Sequence, residues 1–455
     1  MIRTRLPAVL FLLLSMLPAS VQAEPAPELK DLDVEACVSI ALRQNAQIAQ
    51  AEAEVDVYRA RLREVQSIFY PKLQGLAFIA PMYTVDADLT DTSVNSVDVR
   101  FKSLKDWGPY ANFEAVLTQV VYTFGRAAAG QRAAEYRIDV EKARVREARN
   151  LVAQEIRRLY YSYMFTASVQ PALVQAREVL DKAIERAQDI YESATGEVSF
   201  ADLSRLKFSR IEVDKLEVLL RTAAHVLEAA LKHTMGLPDV TEISFAETRL
   251  PRIENDEPPA LEALVRRALD NRPEWKQLAA GQSGLLALEE AELKANLPVL
   301  GIAGQIEASW TPTRTNNTNP YLRDPYNEFS GGLALALLFD LDPERTLAKA
   351  DAARAQHEGL VALERFATTG IPLQVKQARA DLMRFQRVAE LSQDGIKITR
   401  KWLTFAATGY ETGASTARDL LEGLAAYLES KRAYYDGLRS YHIADAELRF
   451  ALGEQ

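Results

Sequence analysis

The chain has a single cysteine, Cys37, in 455 residues, so no disulfide can form within it. Only four histidines occur: His225, His233, His357 and His442. His225 and His233 are eight residues apart and could share a helix face. No cysteine or carboxylate completes a ligand set beside them, so both read as structural and no metal site is expected. A glycine-rich phosphate loop, His-Glu-x-x-His and Gly-x-Ser-x-Gly are all missing, and with them the usual carriers of catalysis. Neither enzymatic activity nor a cofactor is expected. Cations are in the minority, 54 Lys and Arg against 63 Asp and Glu, for a net charge of −9. Nucleic-acid binding rests on neutralising phosphates with Lys and Arg, which argues against that class of partner. No stretch approaches the roughly 20 apolar residues that a membrane-crossing helix needs. If the chain enters a bilayer it must do so as β-strands of a closed barrel, the one alternative that satisfies every backbone polar group in lipid.

What is present starts at the N-terminus. Arg3 and Arg5 precede the apolar residues 8–14, and Val21-Gln22-Ala23 places small residues ahead of Glu24-Pro25. This pattern predicts a cleaved secretory signal peptide over residues 1–23. Its removal takes two arginines and no acids, leaving a charge of −11 (52 − 63). Cys37 lies too far past the cleavage site to carry a lipid and falls on the apolar side of a predicted helix, as a small buried hydrophobe would. Residues 24–32 form a polar, proline-bearing lead-in.

The chain then says the same thing twice. Shifted by 227 (261 − 34), Val34-Glu35-Ala36 falls on Leu261-Glu262-Ala263, Ala41-Leu42 on Ala268-Leu269, and Pro71-Lys72-Leu73 on Pro298-Val299-Leu300. Shifted by 217 (413 − 196), Gly196 falls on Gly413, Asp202 on Asp419, Leu203 on Leu420 and Gly236 on Gly453. A period this long is a duplicated unit, not a short solenoid repeat. It predicts a first repeat over 33–236, a linker over 237–259 with one short strand, and a second repeat over 260–455.

Within each repeat the hydrophobic period changes from helix to strand and back. Asp33 is a candidate N-cap for one long helix over 33–68, in which Ala41, Ile48, Val55, Leu62 and Phe69 stand seven apart. β-Hairpins are expected at about 74–123 and 299–340. In the second, Leu300, Ile302, Ile306 and Trp310 alternate with Gly301, Ala303, Gln305, Glu307 and Ser309. That is the pattern of a membrane-barrel strand, with Trp310 at the water boundary, although a strand of a soluble sandwich shares it. Long helices follow each hairpin, with breaks or kinks expected at Pro171 and at Gly370-Ile371-Pro372. The tyrosines of the last helix, Tyr427, Tyr434 and Tyr441, read as ordinary coiled-coil packing. The fold class is mainly α with a membrane β-barrel contribution, built from a duplicated long-helix/β-hairpin unit. Four strands per chain cannot close a barrel and would leave bare edges in lipid, so several copies must share one.

These features, in this order and twice over, resemble the TolC outer-membrane efflux family across nearly the whole chain. They are the signal peptide, the helix ending at Pro71-Lys72-Leu73, its copy ending at Pro298-Val299-Leu300, and the tips at 196–202 and 410–419. The resemblance implies a homotrimer with a shared 12-strand barrel in outer-membrane lipid of a Gram-negative bacterium and a periplasmic α-helical tunnel. It implies the exit channel of a tripartite efflux or type I secretion system, working with a periplasmic adaptor (membrane fusion) protein and an inner-membrane transporter. Asp419 and Glu422 match the family's acidic ring at the periplasmic aperture; crowding there would raise some of their pKa values. On the residues alone, they also fit a solvated acidic patch at a helix start. Asp202 and Tyr410 match the closed-state latch, but the family's latch arginine is Ser415 here, with Arg205 and Arg418 as nearby substitutes. Thr195, Gly196 and Glu197, with Thr412, Gly413 and Ala414, match the adaptor-docking tips and also fit simple glycine turns. The alternative reading is a periplasmic coiled-coil adaptor or scaffold without a membrane span, which has no need of two alternating hairpins. The transported substrate is not legible.

Overall fold

A computed structural model describes residues 29–83, 107–193, 198–253, 258–312 and 326–455. The signal-peptide segment and the first-tip residues Thr195, Gly196 and Glu197 lie outside the described residues. In chain order the elements are β1 (Leu29–Leu32), α1 (Val34–Gln44), α2 (Ala46–Gln66), β2 (Lys72–Tyr83), β3 (Trp107–Tyr122), α3 (Arg126–Glu192) and α4 (Phe200–Met235). The second half follows with β4 (Ile243–Phe245), α5 (Leu261–Asn271), α6 (Pro273–Leu293), β5 (Val299–Trp310), β6 (Phe329–Leu338), α7 (Pro343–Thr412) and α8 (Ala417–Ala451). Among the described residues no helix is long and apolar enough to cross a membrane.

The shift of 227 seen in the sequence carries α1 onto α5, α2 onto α6 and β2 onto β5 residue for residue (261 − 34, 293 − 66, 310 − 83). The shift of 217 carries the start of α4 onto the start of α8 (417 − 200). Gly236 and Gly453, a further pair at that spacing, share a left-handed backbone at φ 75°.

Two expectations about the helices need correction. The helix expected over 33–68 is two helices. Asp33 does cap the first, accepting from the Ala36 N–H at 2.7 Å. Asn45 then turns extended, and its Nδ2 donates to the Thr234 carbonyl at 2.7 Å. The seven-residue spacing survives this break, since Ile48 and Val55 stay buried. One extended residue therefore leaves no mark on the pattern. Conversely, α3 and α7 run unbroken through Pro171 and Pro372. Each proline removes one backbone bond, but buried neighbours on either side, Val169 and Leu173 in α3 and Ile371 and Val375 in α7, hold the helix through the defect.

The chain divides into two compact units, and each draws on both repeats. The first comprises Met1–Ala46, Arg149–Ala263 and Val375–Gln455. In it β1 pairs in parallel with β4, so the linker does contribute one short strand. The linker is further tied to helices: the Leu250 N–H donates to Ser168 Oγ at 2.9 Å, and His442 Nε2 meets the Pro251 carbonyl at 3.0 Å. Cys37 is fully buried here, and burial pushes its thiol up to about 12, as suits a packing residue.

The second unit comprises Gln47–Ala148 and Leu264–Gln374 and contains an antiparallel sheet of order β2-β3-β5-β6. The register sorts its faces. Leu73, Ile79, Phe113 and Leu117 share one side with Ile302, Ile306, Leu333 and Leu335. That side is left bare: Ile79 and Leu333 are each 79% exposed. The other side carries Gln74, Asn112, Glu114, Gln305, Glu307 and Ser309, with Glu114 directly opposite Glu307 and Gln305 donating to Glu114 at 3.1 Å. A soluble sandwich would cover such an apolar face; among the described residues nothing covers this one. Trp310 stands at the end of β5, exposed, as the alternation predicts. Phe124 and Gly125, both left-handed, turn the chain from β3 into α3, where Thr123 Oγ1 accepts from the Ala127 N–H at 3.1 Å.

A Cβ on Gly236 would strike the Gln44 backbone, and L-residues resist its left-handed φ. Gly236→Ala should therefore destabilise by more than the ~1 kcal/mol of the backbone term alone, read as a lower Tm. Gly130→Ala, mid-helix with open space around it, should raise Tm slightly.

Candidate gate at the helix tips

The ends of α3, α4, α7 and α8 pack through one seam in the first unit. α3 contributes Leu173, Ala176, Leu180, Ala183 and Ala187 at alternating three- and four-residue steps; α7 contributes Ile396, Leu403 and Tyr410, seven apart. Leu420, Leu424 and Tyr427 of α8 close the seam, with Leu203 and Leu206 of α4. Such spacing keeps one helix stripe against its neighbour. Tyr427 is buried in this core, consistent with packing, and its hydroxyl donates to Gln175 at 3.2 Å.

Both hairpins restart their second helix with the same device. Ser199 caps α4: its Oγ accepts from the Asp202 N–H at 3.2 Å and donates to Asp202 Oδ2 at 2.6 Å. Thr416 caps α8: its Oγ1 accepts from the Asp419 N–H at 3.2 Å and donates to Asp419 Oδ2 at 2.7 Å, while its own N–H donates to that oxygen at 2.9 Å. Each is a reciprocal capping box satisfying N–H groups that the helix start leaves orphaned. Hydrogen bonds from the Ser199 and Thr416 hydroxyls hold the Asp202 and Asp419 carboxyls below the usual range. Within one chain this is opposite in direction to the rise expected from crowding. Glu422 is not alone: Arg418 Nε donates to it at 2.8 Å. Arg205 similarly reaches Asp202 Oδ1 at 3.1 Å.

Tyr410 is buried, and its hydroxyl donates to the Ala183 carbonyl at 3.4 Å. Burial pushes its phenol pKa up, Arg186 pulls it down and Asp202 adds a smaller upward push, so the two expected latch residues are electrostatic neighbours. They share no hydrogen bond within the chain among the described residues. The second tip turns tightly. The N–H groups of Ala414 and Ser415 both donate to the Gly409 carbonyl, at 2.7 and 3.0 Å, and Gly413 takes φ 78°. Thr412 Oγ1 donates back to the Thr408 carbonyl at 3.0 Å. A Cβ on Gly409 would collide with the Ser415 side chain. Ser415, in the position of the family's arginine, thus lies folded against a glycine.

The second-half sequence matches the model of the outer membrane efflux protein family over residues 264–454. Solved outer-membrane channels share the fold of nearly the whole chain. The CmeC channel of Campylobacter jejuni superposes with a TM-score of 0.74 at 14% identity, over 92% of this chain and 85% of that one. The channel OprN gives 0.71 at 13% identity, over 93% and 90%. The open-state MtrE channel of Neisseria gonorrhoeae gives 0.67 at 14% identity, over 92% and 89%. Compared with curated proteins by sequence, the chain matches none.

Sequence reading singled out Asp202, Tyr410, Asp419 and Glu422 and passed over their capping partners Ser199 and Thr416. The signal was present: Ser-x-x-Asp and Thr-x-x-Asp, each opening a helix and 217 apart (416 − 199). It missed the pairing of Gly409 with Ser415, which only the folded turn creates. Because the folded carboxyls titrate below their unfolded value near 4, their capping contribution is present above that pH and is lost as pH falls through the depressed folded value. Hydrogen exchange at the first-turn amides of α4 and α8, corrected for intrinsic rate, should quicken as pH drops below about 4. Asp419→Asn should remove the pH dependence in α8 while leaving it in α4.

Proposed function

We propose that the chain is the outer-membrane exit channel of a tripartite efflux or type I secretion system. In this reading it passes cargo delivered by an inner-membrane transporter through a periplasmic tunnel, with an adaptor protein docked at the tips Thr195-Gly196-Glu197 and Thr412-Gly413-Ala414. The observation that carries the reading is the four-stranded sheet, with one apolar face bare and two open edges, at β2 and β6. Three copies would contribute twelve strands and leave no edge in lipid. A second observation supports self-assembly. Leu391, Ile398 and Phe405 of α7 stand seven apart and exposed, with Trp402 beside them, and α4 exposes Phe208, Ile211, Val218 and Leu219. These are coiled-coil seams with no partner of the same chain over them, suited to the next copy around a ring. The repeats 33–236 and 260–455 are in this view the two pseudo-equivalent staves of each protomer.

The gate belongs at the tips. Tyr410, seated on Ala183, and Asp202 hold the second hairpin against the first, with Arg205 on Asp202 as the cationic member that Ser415 does not supply. Asp419 and Glu422 would face the aperture. The Arg418 side chain offsets Glu422, so the cation preference of the ring rests mainly on Asp419.

Detergent extraction from outer membranes should yield a trimer that migrates faster before heating than its mass predicts, and Phe405→Asp should shift it towards monomer. A wild-type protein that is monomeric without detergent would overturn the channel. In planar bilayers, Asp419→Asn should lower cation selectivity more than Glu422→Gln does, and Tyr410→Phe or Asp202→Asn should raise conductance. Unchanged selectivity would take Asp419 out of the constriction.

A further inference from the structure

The second unit contains a trough that the gate does not use. α6 forms its floor and α3 and α7 its walls, antiparallel to the floor. Gln277 of α6 donates to Glu147 of α3 at 2.7 Å, and Gln282 of α6 to Glu364 of α7 at 2.8 Å. Glycine makes the close packing possible: a Cβ on Gly284 would lie 3.2 Å from Tyr136 Cβ, and the ideal Cβ of Gly281 already falls 2.9 Å from Leu360 Cδ1. The trough encloses about 940 Å³, the scale of a drug-sized ligand site.

Its lining is graded. Leu285, Leu288, Leu360 and Leu363 make one stretch apolar, and Phe366 and Ile371 extend it. Of the four charged side chains in the lining, three are arginines, Arg137, Arg144 and Arg272, against Glu274 alone. Arg272 is 3% exposed, fixed by Gln374 at 2.6 Å and Glu274 at 3.3 Å. Arg137 and Arg144 share one buried carboxylate, Glu141, at 2.7 and 3.1 Å. Arg144 is half exposed and spends only Nη1 on that bond among the described residues. Two cations on one carboxylate leave a positive surplus beside an apolar slot. That combination complements an anion carrying an apolar body.

We propose that this trough binds a small amphiphilic anion, a compound with a carboxylate or sulfonate head at the arginines and a flat apolar body along the leucines. Identifying the anion as cargo rests on the exit-channel reading. Position favours cargo over bilayer lipid. Leu288 is 11 residues before β5 (299 − 288), and Gln356 is 18 after β6 (356 − 338). At 1.5 Å per helical residue the trough lies about 15 Å or more along the helices from the strands.

The test uses the full chain in detergent, released for native mass spectrometry, with 1-pyrenesulfonate and uncharged 1-pyrenemethanol as probes. One pyrenesulfonate per chain should bind about tenfold or more tightly than pyrenemethanol, the scale of a single charge-assisted contact. Arg144→Gln leaves Glu141 its Arg137 partner and should weaken pyrenesulfonate by about tenfold without changing pyrenemethanol. Leu363→Asn, at an exposed position, should weaken both. Equal binding of the two probes, no effect of Arg144→Gln, or a short-chain phosphatidylglycerol displacing pyrenesulfonate would each overturn the proposal. So would a structure of the assembled protein with another copy's helix lying in the trough. Failed binding by a protein that still conducts in bilayers rejects the trough alone, whereas loss of conductance with binding intact rejects the channel alone.

Discussion

In lipid an unpaired backbone N–H or C=O has nowhere to turn, and each one left bare costs several kcal/mol. The exit-channel reading asks this chain to meet that demand with four strands. β3 and β5 are paired on both sides, whereas β2 and β6 each end the sheet. In the exit-channel reading a single copy is therefore incomplete in a membrane, and completion by further copies would multiply every feature of the chain around an axis. The apolar and polar sheet faces would then acquire distinct environments: lipid for Ile79 and Leu333, water for Glu114 and Glu307. The like charges of Glu114 and Glu307, opposed across neighbouring strands, would strain an ordinary sheet. Gln305, bonded to Glu114, relieves part of that strain, and an aqueous lumen would relieve the rest.

The helices meet a different demand. They are too polar for a bilayer and too long for a simple core, and they are stabilised along stripes rather than around a centre. Three- and four-residue steps in α3, and the seven-residue step from Ile396 through Leu403 to Tyr410 in α7, put the hydrophobic contribution on one edge of each helix. Tyr410 is the last rung of that ladder, which gives it an apolar environment for the ring and one backbone carbonyl for the hydroxyl. The same side chain thus belongs to the packing and to the proposed gate.

Much of this could be read from residue order. The duplication, the hairpins and one short strand in the linker follow from period and punctuation, because those signals are local and additive; its pairing with β1 does not. The failures were of a different kind. Asn45 breaks a helix through a bond to Thr234, 189 residues away, and Pro171 and Pro372 fail to break theirs because distant packing outweighs one missing bond. Neither outcome is encoded near the residue concerned. At the tips, the family resemblance picked out Asp202, Tyr410, Asp419 and Glu422, but their bonding partners were settled by folded geometry. Ser199, Thr416 and Arg418 stand within four residues of them, yet a charge count along the chain treats those acids as independent groups.

The duplicated capping box has one more consequence. Asp419 is at once a charge offered to the solvent and a structural staple for the first turn of α8, as Asp202 is for α4. In the exit-channel reading, an organism adjusting what its tunnel mouth repels or admits cannot change that charge without loosening the scaffold that presents it. Evolution at this position is therefore pleiotropic, and neighbouring sites such as Arg418, free of capping duty, are where ionic character can drift at least mechanical risk.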